Sequence, residues 1–194
     1  RTGRGQHIDA ALVDAGLALS VWETTELFSR GTVPGPLGSA HRMSAPYQAI
    51  RCADGYITLG AANDRLFGRL ATLLGHSEWC EDARFSSDSQ RVANRTALAE
   101  EIESVTSCEP RSHWLEALDA QDIPCGPINN YEEAANDPHI QAREMVVDTD
   151  HPTLGRIKTL GTPIKMSETP LLPGRPAPLL GEHTDDVLLE AGYS

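Results

Sequence analysis

Between Tyr47 and Gly75 the chain reads YQAIRCADGYITLGAANDRLFGRLATLLG, and little freedom is left in how those residues can fold. Two runs rich in β formers flank Asp54-Gly55, a pair that turns tightly because glycine tolerates positive φ, so the first half predicts an antiparallel hairpin. A helix must follow at once. Asn63 is a natural N-cap, Leu66, Phe67, Leu70, Leu73 and Leu74 recur at helical spacing, and Gly75 supplies the left-handed residue that ends helices.

Around this unit the periodicity predicts further helices. Ile8, Leu12, Ala15, Leu19, Trp22 and Leu27 suggest one long helix from Ile8 to Phe28, with Asp9, Asp14 and Glu23 on its wetted edge. Val92, Leu98, Ile102 and Val105 suggest a second from Asp88 to Val105. Trp114, Leu115 and Leu118 suggest a third from Arg111 to Ala120, with Pro110 in its first turn. Asp137 and Pro138 read as cap and first residue of a short helix. A closing helix runs from Thr184 to Ala191, capped by Thr184 and stopped by Gly192. IPCGPIN is a short apolar run bounded by turns, MVVDTDHPTLGRIKTLGTPIKM holds two or three short strands, and ETPLLPGRPAPLLG lacks periodicity and reads as extended chain. SRGTVPGPLGSAHRMSAP, with Pro34, Pro36, Pro46, Gly31, Gly35 and Gly38, forbids regular structure. The first helix and the extended tail look as though they pack against something else.

Several kinds of function are disfavoured. The formal charge is -12, without an Arg/Lys stripe, a field that repels nucleic-acid backbones and anionic lipid surfaces. No apolar run approaches the roughly 20 residues needed to span a bilayer. Cys52, Cys80, Cys108 and Cys125 lie far apart, with no C-x-x-C pair, as in a cytoplasmic protein with reduced thiols rather than a disulfide scaffold or a zinc site, so no metal is expected. GRGQHI has Ile8 where a dinucleotide fingerprint needs its third glycine, and no strand precedes it. There is no G-x-S-x-G elbow, and the spacing of Asp9 and Asp14 puts them on different helix faces.

One loop carries chemistry. In GPLGSAHRM, Gly35, Gly38 and Ser39 can present consecutive backbone N–H groups, which an oxyanion or a thioester carbonyl requires, with the His41 and Arg42 side chains alongside. A flexible connection between domains is the competing reading of the same residues.

The order of the segments GRGQHIDAALVDA, GSAHRMSAPYQAIRCADGYITLGAANDRLF, DARFSSDSQRVANRTAL, HWLEALDAQDIPCGPIN, DPHIQAREMV, HPTLGRIKTLGTPIKMS and PAPLLGEHTDDVLLEAG closely resembles the C-terminal half of the family III CoA-transferases and the related acyl-CoA racemases. The resemblance covers essentially the whole chain. It implies an α/β protein in which a small α+β domain is inserted into a Rossmann-like CoA-binding domain, and in which two chains interlock as a homodimer. Residues 1–30 and 148–194 would then belong to the large domain, 31–46 to a linker and active-site loop, and 47–147 to the small domain.

The substrates implied are an acyl-CoA thioester and a small carboxylic acid, exchanged through an enzyme-bound aspartyl anhydride and thioester, with coenzyme A as the group transferred. The family's nucleophilic Asp lies upstream of the GRGQ segment, so these 194 residues are expected to hold no catalytic nucleophile and to be inactive alone. By the same resemblance Gly38, Ser39, Ala40, His41 and Arg42 form the loop that shields the intermediates from water, and Leu12 lies where the first helix touches CoA. GSAHRM stands where formyl-CoA transferases carry a run of glycines. The alternatives are a racemase of the same family, in which His and Asp exchange an α proton, and a noncatalytic assembly module.

Overall fold

The computed structural model describes residues 3–170 and 176–193 as a mixed α/β chain made of two compact units, residues 1–127 and 128–194. The extended course expected for ETPLLPGRPAPLLG lies partly outside the described residues.

In the first unit the expected hairpin forms from β1 (Tyr47–Cys52) and β2 (Gly55–Gly60), with Ile50 opposite Ile57, but its turn is Ala53 and Asp54 rather than Asp54 and Gly55, because Gly55 pairs with Cys52 as the first residue of β2. Gly55 has φ 152°, and a side chain there would press on Arg111. β3 (Cys125–Pro127) adds antiparallel to β2, giving the order β1-β2-β3. Ile50, Cys52, Ile57 and Leu59 alternate with exposed neighbours and turn inward, as strands with one buried face require.

α3 (Asp64–Leu73) follows directly. The Asn63 side chain accepts from Leu66 N–H, Phe67, Leu70 and Leu74 are buried, and Gly75 leaves the helix at φ +79°. A 3-10 turn (Ser77–Cys80) buries Trp79. α4 (Asp88–Ala93), α5 (Arg95–Thr106) and α6 (Arg111–Asp119) complete the unit, α5 against β1 and α6 against β2 and β3. Phe85, Leu98, Ile102, Trp114, Leu118 and Ile123 fill the space between.

Several expected boundaries move, each for a local reason. The long first helix is two, α1 (Leu12–Leu19) and α2 (Val21–Arg30), and Ile8 to Ala11 are not helical. At the break the Ser20 hydroxyl and N–H both donate to Leu17 O, so a serine competing for backbone acceptors interrupts the ladder. Asn94 divides the second predicted helix in the same way, its amide donating to Arg84 O and Gln90 O. Pro110 precedes α6 rather than lying within it, and Asp54 Oδ1 accepts from the first helical N–H, that of Arg111, at 2.7 Å. α1 buries none of its residues.

In the second unit a capping box at Asn130 and Glu133 opens α7 (Tyr131–Asn136), and Asp137 caps α8 (Pro138–Ala142) as expected. β4 (Val146–His151) and β5 (Gly155–Leu160) form a hairpin whose turn is organised by His151 Nδ1, which accepts from Thr153 and Leu154 N–H at 3.2 Å each. α9 (Thr184–Glu190) carries Asp185 and Asp186 in its first turn. Its N-cap is His183, without a side-chain bond, and Thr184 is the first helical residue rather than the cap.

Candidate functional site

The loop 31–46 runs from the end of α2 to the start of β1, and its shape is set by contacts on three sides. Gly31 ends α2 at φ +67°, and a turn closes at Gly38, φ +62°, with Ala40 N–H donating to Leu37 O. Beyond the turn the loop lies along β1: Ser39 Oγ accepts from Ala49 N–H at 3.1 Å, and His41 N–H donates to Tyr47 O at 2.8 Å.

His41 is enclosed by aromatic rings. Tyr47 stacks on it at 5.0 Å between centroids, and Trp22 of α2 meets it edge-on at 5.3 Å. Met43 N–H donates to its Nδ1 at 3.2 Å, so the neutral ring carries its proton on Nε2.

Arg42 reaches back to α2. Its Nη2 donates to Gly35 O at 3.1 Å and stands 3.9 Å from Glu23 Oε1, while Nε is 3.5 Å from Glu26 Oε2. Arg42 Nε and Glu26 Oε2 are both enclosed without a well-directed hydrogen bond. The guanidinium is thus neutralised by two glutamates instead of facing an open anion site.

The third side is formed by α4 and α5. Arg95 donates Nη1 to His41 O at 3.0 Å and Nη2 to Arg42 O at 3.1 Å. Ala45 N–H donates to Asp88 Oδ1 at 3.3 Å, and Ala45 O accepts from Arg91 Nε at 2.9 Å. Two clefts open beside the loop. One, about 660 Å³, is lined by Trp22, Pro34, Gly38, Ala40, His41 and Arg42. The other, about 600 Å³, is lined by Val21, Trp22, Glu26, Met43, Asp88 and Val92, among others.

Of the residues singled out by sequence, Gly38, Ala40, His41 and Arg42 therefore line one cleft, and Ser39 fastens the loop to β1. Leu12 lines neither and is 92% exposed on α1. Sequence reasoning did not find Trp22, Glu23, Glu26, Asp88, Arg91 or Arg95. The usable signal was the pair Arg91 and Arg95, four apart in SQRVANRTAL, although the break at Asn94 places them on two different helices, α4 and α5. Among the described residues no His, Cys, Asp and Glu group is arranged to hold a metal, and no helix is long and apolar enough to cross a membrane.

Comparison with known proteins gives this geometry a context. Residues 1–184 match CoA-transferase family III. A succinate–glutarate CoA-transferase of Agrobacterium fabrum is 38% identical over 190 residues, which is 98% of this chain and 48% of that protein. The human succinyl-CoA:glutarate CoA-transferase is 30% identical over 98% of this chain and 43% of its own length. A succinyl-CoA:mesaconate CoA-transferase of Haloarcula hispanica is 34% identical over 99% of this chain and 48% of its own. A crystal structure of a CaiB/BaiF family protein from Brucella suis superposes with a TM-score of 0.83 at 37% identity, covering 97% of this chain and 49% of that one. The chain spans about half the length of the relatives it matches.

Proposed function

The chain belongs to CoA-transferase family III, and from that premise we propose that it works as part of an enzyme moving CoA from an acyl-CoA thioester to a free carboxylic acid. The observation that carries the reading is the 38% identity over 98% of the chain to a relative named as such a transferase. The relatives named above handle succinate, glutarate or mesaconate, so short dicarboxylic acids are the substrate class proposed.

The chemistry is an exchange between carboxylates that needs no metal and consumes no water. An enzyme aspartate, outside these 194 residues in this reading, attacks the thioester carbonyl. The C–S bond breaks, CoA thiolate leaves, and a mixed anhydride forms. Thiolate then attacks the aspartyl carbonyl, freeing the donor acid and leaving an aspartyl thioester. The acceptor carboxylate and the thiolate repeat the two steps in reverse order. A thiol of pKa about 8.5 leaves readily, and covalent catalysis divides the transfer into easier stages.

Each stage places negative charge on a carbonyl oxygen, and each intermediate must be kept from water. We assign both tasks to the loop from Gly38 to Arg42, where the N–H groups of Ala40 and His41 are already bonded to Leu37 O and Tyr47 O and that of Arg42 is a donor left for a ligand beside the His41-lined cleft, and we assign a CoA contact to Leu12. In the same reading residues 1–30 and 148–194 serve the CoA-binding domain, residues 47–147 form the small domain, and the enzyme is a cytoplasmic, interlocked homodimer. The free thiols of Cys52, Cys80, Cys108 and Cys125 are in keeping with a reducing compartment.

The test is a transferase assay of the complete gene product with succinyl-CoA and a panel of dicarboxylates, beside the 194-residue chain. Transfer by the complete product and none by the chain is expected. Exchange of an α proton into deuterated water without transfer would instead make it a racemase. Transfer by the chain alone would mean that the nucleophile is among these residues.

A further inference from the structure

The carbonyl oxygens of His41 and Arg42 are held by one side chain from a different element. Arg95, the first residue of α5, binds both through its two terminal nitrogens, at 3.0 and 3.1 Å, while its Nε donates to Val92 O at 3.1 Å. The planar fork of a guanidinium suits this task, because two parallel N–H groups fix two acceptors at a set separation.

Fixing the carbonyls also fixes the amides. In a trans peptide the C=O of one residue and the N–H of the next point in opposite directions. With both carbonyls turned toward α5, the N–H groups of Arg42 and Met43 are turned away from it. Met43 N–H accordingly meets His41 Nδ1 on that side. Arg42 N–H finds no acceptor among the described residues, and Arg42 and His41 both line the 660 Å³ cleft. A cation against the carbonyl end of a peptide also polarises the unit, strengthening the N–H as a donor.

We propose that Arg95 is a positioning residue for CoA transfer: by locking the peptide planes after His41 and Arg42 it presents the Arg42 N–H to the carbonyl oxygen of the thioester or anhydride in the His41-lined cleft. The inference rests on the functional reading above and names a residue outside the loop on which that reading depends. Arg95 touches neither substrate nor reacting atoms, and its effect passes through the backbone. Lysine in its place keeps the charge but offers a compact ammonium in place of the fork, so it cannot fix both planes at once.

The experiment uses the complete gene product with succinyl-CoA and glutarate as probes, comparing wild type with Arg95→Lys and Arg95→Gln. Four quantities are read: kcat, KM for succinyl-CoA, the ratio of thioester hydrolysis to transfer, and the melting temperature. A displaced donor costs on the order of 10- to 100-fold in rate. Both variants should therefore lose kcat on that scale with KM within a few fold, and should hydrolyse a larger share of thioester while remaining folded. Arg95→Lys keeps the charge and most of the packing, which preserves the test if Arg95→Gln fails to fold. Wild-type kcat and hydrolysis share in folded Arg95→Lys overturn the inference alone. So does a loss of kcat that merely follows a loss of melting temperature, with the hydrolysis share unmoved. A wild-type protein that transfers no CoA overturns the functional reading and the inference together.

Discussion

Replacing Arg91 tests whether a buried cation holds the base of the loop. Its side chain is 1% exposed, donating to Ala45 O at 2.9 Å, to Phe85 O at 2.9 Å and to Asp64 Oδ1 at 2.8 Å, with the guanidinium 4.5 Å from the centroid of Phe67. Arg91→Met keeps most of the volume and removes every donor. Ala45 and Phe85 are 2% and 0% exposed, so each carbonyl left unpaired costs about 1–3 kcal/mol. The lost contact with Phe67 adds about 1 kcal/mol. Asp64, with its side chain 76% exposed, simply rehydrates. Against these stands the relief of no longer desolvating a guanidinium, which can reach a few kcal/mol. The orphaned carbonyls outweigh it in part, and a net loss of about 3 kcal/mol is expected. Arg91→Lys should lose as much, because the charge stays buried with fewer directed donors, while Asp64→Asn should lose under about 1 kcal/mol. Urea unfolding followed by the fluorescence of buried Trp79 and Trp114 measures all three. An Arg91→Met protein as stable as wild type would refute the reasoning, since it would mean the two carbonyls find other donors at no cost.

Asp54→Ala removes the acceptor for the Arg111 N–H and should cost about 1 kcal/mol, read as a lower urea midpoint, as for other lost N-caps. Burial pushes the Cys52 and Cys125 thiols up, while Cys80 and Cys108 are exposed, so iodoacetamide at mildly alkaline pH should label the latter two first, as mass spectrometry would detect. Arg84 holds the Asp82 carboxyl below the usual carboxylate range through its side-chain hydrogen bond. That contribution is complete above the unfolded value of about 4 and is lost as pH falls through the lower folded value. In Arg84→Ala the Asp82 titration followed by NMR should move back up.

What was legible in the sequence is what short-range chemistry decides. The β1-β2 hairpin, the Asn63 cap, the Gly75 stop and the Asp137-Pro138 start each depend on residues a few positions apart, and each forms, the hairpin with its turn one residue earlier than expected. The apolar stripe of α3 was legible for the same reason, since a 3.6-residue period is a local property. The breaks at Ser20 and Asn94 were not, because a polar residue inside an apolar period has two outcomes and its hydrogen-bonding partners decide between them. Least legible were the contacts of Arg91 and Arg95, whose acceptors at Ala45, His41 and Arg42 lie 46 to 54 residues away. A carbonyl acceptor carries no residue identity, so no pairing of residue types betrays such a contact.

That anonymity bears on how the loop operates. Arg42 was singled out as a polar side chain next to a substrate, yet Glu23 and Glu26 stand 3.9 and 3.5 Å from its guanidinium, so its charge is balanced before any ligand arrives. An acyl-CoA thioester entering the adjacent cleft would meet little net positive charge from that side chain. Its carbonyl oxygen, however, needs stabilising only when it becomes an oxyanion. A fixed backbone dipole suits that moment better than a mobile cation, because it is already oriented and does not reorganise as charge develops. In the proposed reading Arg42 acts through its peptide N–H, while its side chain ties the loop to α2. In that reading the cation that matters to the dipole is Arg95, at the carbonyl end of the peptide, where it polarises the donor without competing with it for the substrate.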